Sequence, residues 1–372
     1  MKFLHSATVV ILSAVIVVIA AITAIAHVLT ERLVETAHAG DYDLMRRAFA
    51  SELKAMEDEA ASDAEIIATM PVVRRAFVAR DRATLQAETV PMFEVVEPKW
   101  DVDRAQFHTP PGVSFLRLHD PPKFGEDQTP YRPMLAEVHH EKAARKGTAI
   151  TRQGPAIYGI VPIVDDKGTF VGSFEMGLEF GPVLDSLKRS YGIEGAVFFD
   201  EKQLRDVATE IEPGIITAHN RVGKYIRYHA THPDLLASLV TDKDVEITEA
   251  KRIERTVARV PWGVQLVPLY NYANKQIGVV ALALNFDEDK TLARRALVWQ
   301  ILAAIFAVVV VVGVVVVMIR GVLLRPLAAL NERMAALAAG DASRPADPLD
   351  DYCEELRGLA ASYESLRNRG NG

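Results

Sequence analysis

The chain has 372 residues, a formal net charge of −7 and 24 % charged residues. That length allows two or three domains, and the acidic balance excludes a nucleic-acid binder, which would carry a basic stripe. A mean hydropathy of +0.09 is high for so charged a chain, and two apolar blocks account for it.

The first block runs from Ser6 to Thr30 without a formally charged residue. About 20 apolar residues at ~1.5 Å rise cross the ~30 Å hydrocarbon core, so residues 1–30 are expected to hold a cytoplasmic start and a transmembrane helix. Ala37-His38-Ala39 resembles a signal-peptidase site, but the apolar run is too long for a signal peptide and a polar stretch separates the two. An uncleaved anchor is the expectation, with His27 near its end snorkelling to the interface. Residues 31–69 lack proline and carry Leu44, Ala48, Leu53 and Met56 near helical spacing, which predicts a stalk helix. Pro71 ends it or opens the next helix.

An α+β region follows. A helix is predicted from Val72 to about Val96, extended Pro-interrupted chain from Phe107 to His119, and a helix from Tyr131 to Lys146. Two alternating apolar runs, Ala156–Val164 and Thr169–Phe180, flank Asp165-Asp166-Lys167-Gly168, a hairpin signal. The hairpin recurs: a shift of 106 residues lays 161–180 on 267–286 without a gap, matching Val161-Pro162 to Val267-Pro268, Gly172 to Gly278 and Phe180 to Phe286. Two related modules are therefore predicted, at 70–187 and 188–293, each an antiparallel sheet flanked by helices. Gly159, Gly172 and Gly278 are expected to serve tight backbone packing.

The second block, Ala296–Ile319, is the second predicted span, with Trp299 at headgroup level and Arg320 and Arg325 on the cytoplasmic flank. Arg294 and Arg295 on the other flank weaken that charge bias. The single cysteine is Cys353, so no disulfide can hold residues 31–295 together. In the tail, Leu327, Leu330, Met334 and Leu337 alternate spacings of three and four, as do Leu356, Leu359, Tyr363 and Leu366. Two such short helices are expected to complete a parallel four-helix bundle in a dimer.

No P-loop, HExxH or G-x-S-x-G motif stands in the chain, and an enzyme is not expected. The candidate ligand-binding residues are Arg117, His108, His119, Tyr158 and Glu175, all in the first module. Arg117 and His119 project to one face of an extended chain, and Phe115 shares it. Arg117 suits a ligand carboxylate and Glu175 an amine, although the two could simply pair with each other. Adjacent His139 and His140 make a poor chelate, and no metal or cofactor is predicted.

The tail resembles a HAMP domain: Pro326 early in the first helix, a Gly340-Asp341 stop, and Glu355-Leu356 opening the second. Arg357 and Tyr363-Glu364 depart from the usual pattern. FHTPPGVSFLRLH with YGIVPIVDDKGTFVGSFEMGLEFG is similar to the membrane-distal module of a double Cache sensor, the PAS-like tandem of chemoreceptors and sensor kinases. The resemblance implies a distal ligand-binding module, a proximal module with a small or empty pocket, and a homodimer paired along the stalk. It implies a bacterial inner-membrane, multi-pass protein with residues 31–295 extracytoplasmic, sensing a small molecule such as a carboxylate or amino acid and relaying the signal to HAMP at 320–372. Only a short polar end follows the second HAMP helix, so the output is expected to be missing, truncated or supplied by a partner receptor or kinase. A scaffold or a truncated chemoreceptor is the alternative.

Overall fold

The computed structural model describes residues 2–100, 102–341 and 343–370. The chain divides into two compact units, Glu35–Asp289 and Met1–Val34 with Lys290–Gly372.

Helix α1 (Lys2–Thr69) is unbroken, as its lack of proline predicts. Pro71, with no N–H to lose, opens α2 (Pro71–Val78) in its first turn. The helix predicted over 72–96 is interrupted: Arg80 turns left-handed at φ 57. Asp81 then caps α3 (Arg82–Trp100), accepting from the Thr84 N–H at 3.1 Å and hydroxyl at 2.6 Å. That satisfies donors a helix start leaves open.

Next come β1 (Val102–Thr109), β2 (Val113–Arg117), α4 (Pro133–Glu141), β3 (Arg145–Thr151), β4 (Gly154–Val164) and β5 (Phe170–Leu178). The predicted 131–146 helix stops at Glu141, because Lys142 turns left-handed (φ 59) and the chain enters β3. The second module contains α5 (Gly181–Tyr191), β6 (Glu194–Asp200), α6 (Glu201–Val207), β7 (Arg221–Val222), β8 (Tyr225–Ala230), α7 (Pro233–Leu239), β9 (Lys251–Val257), β10 (Val260–Tyr270) and β11 (Gln276–Asn285).

The sheet orders are β2-β1-β5-β4-β3 and β7-β8-β6-β11-β10-β9. Apart from the short β7, the second repeats the first. The repeat extends to register. Ile163 pairs with Gly172 and Leu269 with Gly278, and each ladder slips directly afterwards. The β1–β2 and β6–β8 ladders slip at matching places, between Phe107 and His108 and between Val197 and Phe198. A Cβ on Gly172 would fall on the His108 carbonyl oxygen, and one on Gly278 on that of Phe198. Both glycines therefore admit the neighbouring strand.

One face of the first sheet, with Ala105, Phe107, Phe174 and Met176, packs on Ala60, Ala64 and Ile67 of α1 and Phe77 of α2. Earlier in α1, Tyr42, Met45, Ala48 and Phe49 join Val197, Phe199, Val280 and Leu282 of the second module. Each of the large apolar side chains here contributes about 1.5–3 kcal/mol on burial, and each alanine methyl less. Leu44, predicted on the apolar face, is exposed because Tyr42, Met45 and Phe49 define that face instead.

In the other unit, the apolar parts of α1 and α8 (Asp287–Met318) are long and apolar enough to cross a membrane. Gln300 donates to the Thr30 hydroxyl at 3.2 Å, and His27 lies 3.4 Å from Glu31. A π-helical segment, Ile319–Leu324, leads into α9 (Arg325–Ala338), which ends before Gly340 at φ 92. With α10 (Glu354–Gly370) it buries Leu330, Leu356, Ala360 and Tyr363. Leu327, Leu359 and Leu366 stay exposed. Ala342 of the connector, Asn371 and Gly372 of the polar end, and the Lys2 side chain lie outside the described residues.

Candidate ligand site

The period of two in a strand sends alternate residues of β1 to opposite faces. Ala105 and Phe107 face α1, so Arg104, Gln106 and His108 share the other face. Register sets these beside matching residues of the neighbouring strands. Arg117, Gln106, Glu175 and Ile160 form one row across the sheet. Ser114, His108, Ser173 and Pro162 form the next. Tyr158 and Arg104 both pair with Gly177. Helix α4 covers this face through Met134, Leu135 and Val138, which pack on Ala156, Tyr158 and Ile160.

Arg132, just before α4, reaches Glu175 through two hydrogen bonds of 3.2 and 2.6 Å, with both groups buried. Burial opposes the Glu175 carboxylate, but Arg132 and then His108 outweigh it and hold its pKa below the usual range. The guanidinium also lies 5.0 Å over the Tyr158 ring. Arg104 donates to the Tyr158 hydroxyl at 3.0 Å and pairs with Asp103 at 2.6 Å. Arg117 pairs with Glu126 and donates to the Lys123 carbonyl at 3.0 Å, while its Nε has no partner among the described residues. Each arginine of the cluster thus has its own carboxylate.

His108 is fully buried, with Glu175 Oε1 at 3.9 Å and Gln128 alongside, and among the described residues neither ring nitrogen has a hydrogen-bond partner of full geometry. Burial pushes its pKa down to about 4, so the ring is neutral at pH 7. Burial and then Arg104 push His119 equally far. His139 accepts from or donates to Ser173 Oγ at 2.8 Å.

Of the five residues singled out from sequence, Arg117 alone lines the cleft. Glu175 braces Arg132, Tyr158 braces Arg104, and His108 lies beneath. His119 stands past the end of β2, 6.4 Å from Phe93. Phe115 does not share the Arg117 face: the slip in the β1–β2 ladder leaves it unpaired, and it turns to Phe77 on the α1 side. Nor do Arg117 and Glu175 pair with each other.

Sequence reading missed Gln106, Gln128, Tyr131, Arg132 and Arg152, which complete the cleft with Glu126 and Glu210. One signal was available. A cation at a helix N-terminus opposes the macrodipole, so Arg132 before Pro133 demands a compensating carboxylate. The cleft holds only about 10 Å³, barely one water.

The second module supplies an internal control. The positions in register with Arg117, Gln106 and Glu175 are Ala230, Ala196 and Ala281. His108 and Ser173 correspond to Phe198 and Val279, and Tyr158 to Val264 by the hairpin repeat. Ala196, Phe198, Val264, Val279 and Ala281 belong to one hydrophobic core. One scaffold therefore carries a polar, charge-paired interior in the first module and a filled apolar one in the second.

A tandem of such modules, one with a buried polar centre, defines a double sensory domain. The chain belongs to the dCache_3 family, the double sensory domain of two-component sensor kinases, whose profile matches residues 42–289. The ligand-binding domain of the Campylobacter jejuni chemoreceptor Tlp3, solved with L-valine, is similar at 10 % identity and a TM-score of 0.41, covering 70 % of this chain and 97 % of that one. The sensor domain of the Vibrio cholerae histidine kinase DctB gives 10 % and 0.39, covering 66 % and 97 %. The periplasmic domain of V. cholerae LuxQ gives 10 % and 0.37, covering 66 % and 99 %. No curated protein matches the chain.

Proposed function

We propose that the chain is a transmembrane sensor whose first module binds a small extracytoplasmic ligand, with α1 and α8 as the spans and 320–372 as a HAMP relay. The contrast between the modules carries this reading. Buried charge costs several kcal/mol per ion unless well paired, and the second module carries an apolar interior on a sheet of the same strand order. Arg117, Arg132 and Arg152 line the cleft, and Arg117, held by the half-buried Glu126, is the arginine offered to an anionic group. A ligand carboxylate meets Arg117 as Glu126 is displaced, whereas Glu175, buried against Arg132 and outside the cleft, is not offered to a ligand amine.

Ligand and relay are coupled only through differential affinity for two arrangements of the helices. Pro326 in the first turn of α9 and the Gly340 stop support the HAMP reading. The exposed Leu327, Leu359 and Leu366 support a homodimer that covers them, with a receptor or kinase partner for output.

The test is a thermal-shift screen of the full chain in nanodiscs against amino acids, short carboxylates, amines and purines. A ligand at a hundred times its Kd stabilises by about 2.7 kcal/mol. A shift lost in Arg117→Ala and kept in Val279→Ala supports the reading. A cooperative melt that no compound moves counts against it.

A further inference from the structure

A larger hollow lies on the other side of the first sheet, between α1 and α3. It measures about 380 Å³ and is walled by Ile66, Met92, Val96 and Met176, with Trp100 at its edge. That volume is in the range of small-molecule pockets. Glu59 and Asp63, one turn apart on α1, also line it. Like charges at this spacing oppose each other, and neither carboxylate has a cationic partner among the described residues. Burial raises the pKa of both, and for Glu59 the Asp63 charge adds to it. Trp100 is 67 % exposed, an unusual setting for so large an apolar ring.

We propose that this groove between α1 and α3 binds a small amphipathic cation, an aryl or alkyl ammonium, with its charge on Glu59 and Asp63 and its apolar part against Ile66, Met92 and Trp100. Charge complementarity selects the occupant. Exposed Glu59 at the rim and half-buried Asp63 beside the apolar walls call for a cation that sheds water easily. A hydrated divalent ion wants six or more oxygen ligands, which these walls do not offer. An ammonium suits both the carboxylates and the face of an indole, whose ring quadrupole attracts a cation. The site is independent of the arginine cleft, and a ligand there ties α1 to α3, so it acts on the helix that continues toward the first apolar block.

The experiment is calorimetric titration of the full chain in nanodiscs with benzyltrimethylammonium, with phenylacetate and benzyl alcohol as controls of charge. The expected result is saturable one-to-one binding of the cation alone. Affinity should fall at least tenfold in the Glu59→Gln/Asp63→Asn variant and in Trp100→Ala. The double variant is isosteric at positions that are not fully buried, and an unchanged melt certifies its fold. If Trp100→Ala melts early, the double variant decides. Absence of saturable heat, equal binding of phenylacetate, or an unchanged affinity in the double variant overturns the proposal. So does a dimer that Trp100→Ala converts to monomer, because the groove is then filled by a second copy.

Discussion

Arg132 and Glu175, 43 positions apart in sequence, meet in two hydrogen bonds of 3.2 and 2.6 Å beneath α4. The pair links the start of α4 to the middle of β5. It also positions the Arg132 guanidinium over Tyr158, which in turn holds Arg104. Breaking it disturbs the whole polar face.

Arg132→Ala should leave the Glu175 carboxylate buried without a counter-charge and cost about 3–5 kcal/mol. Replacing both partners by apolar residues, as in Arg132→Met/Glu175→Leu, should recover most of that loss, since the second module carries an apolar interior on its equivalent sheet. Urea melts of the two variants measure the difference. Equal losses in both would show that the ion pair is not what the site depends on.

Glu126 pairs with Arg117, and under the proposed function an anionic ligand has to displace it. Glu126→Gln should therefore tighten binding of a carboxylate ligand about tenfold, which is ~1.4 kcal/mol, and leave a neutral ligand unaffected. Titration of the two ligand types against wild type and variant separates the outcomes.

His108 makes stability depend on pH. Its pKa falls from the ordinary 6.5 to about 4 in the folded chain, because burial disfavours the charged ring more than Glu175 favours it. Below the ordinary value the unfolded chain takes up a proton that the folded chain refuses. Stability is thus full above pH 6.5 and is lost as pH falls toward about 4. The slope is up to about 1.4 kcal/mol per pH unit from this one ring. His119 and His139, also pushed down to about 4, act in the same direction. His108→Phe, which copies Phe198 of the second module, should flatten the slope measured by urea melts at pH 7, 5.5 and 4.5.

Gly172 and Gly278 occupy equivalent places, and an added methyl at either meets a backbone carbonyl that cannot yield. Gly172→Ala and Gly278→Ala should each cost about 3 kcal/mol or more. Gly168→Ala, in the β4–β5 turn with open space around it and φ at 78, should cost only about 1 kcal/mol of backbone strain. Thermal melts of the three variants rank them.

Much of the architecture is local in origin and could be read directly. The α1 helix follows from a long stretch without proline, and the two hairpins from alternating apolar runs around polar turns. The tandem was visible because those hairpins share glycine and proline in one register, and the sheets repeat strand order and ladder slips accordingly.

The site was legible only in part. Arg117 and Glu175 stood out by residue type, but their partners depend on which strands lie side by side and in what register. Gln106 sits in the Arg117–Glu175 row because β1 lies between β2 and β5. Phe115 left the expected face because one extra residue in β2 reverses the alternation beyond it. Arg132 joined the site through a helix laid across the sheet. Local propensity and alternation set the elements of this protein, whereas pairing between distant strands decided which charges share a buried space. Only tertiary register could do that, because a hydrogen-bonded charge pair needs its groups within a few ångströms and those neighbours are far apart in the chain.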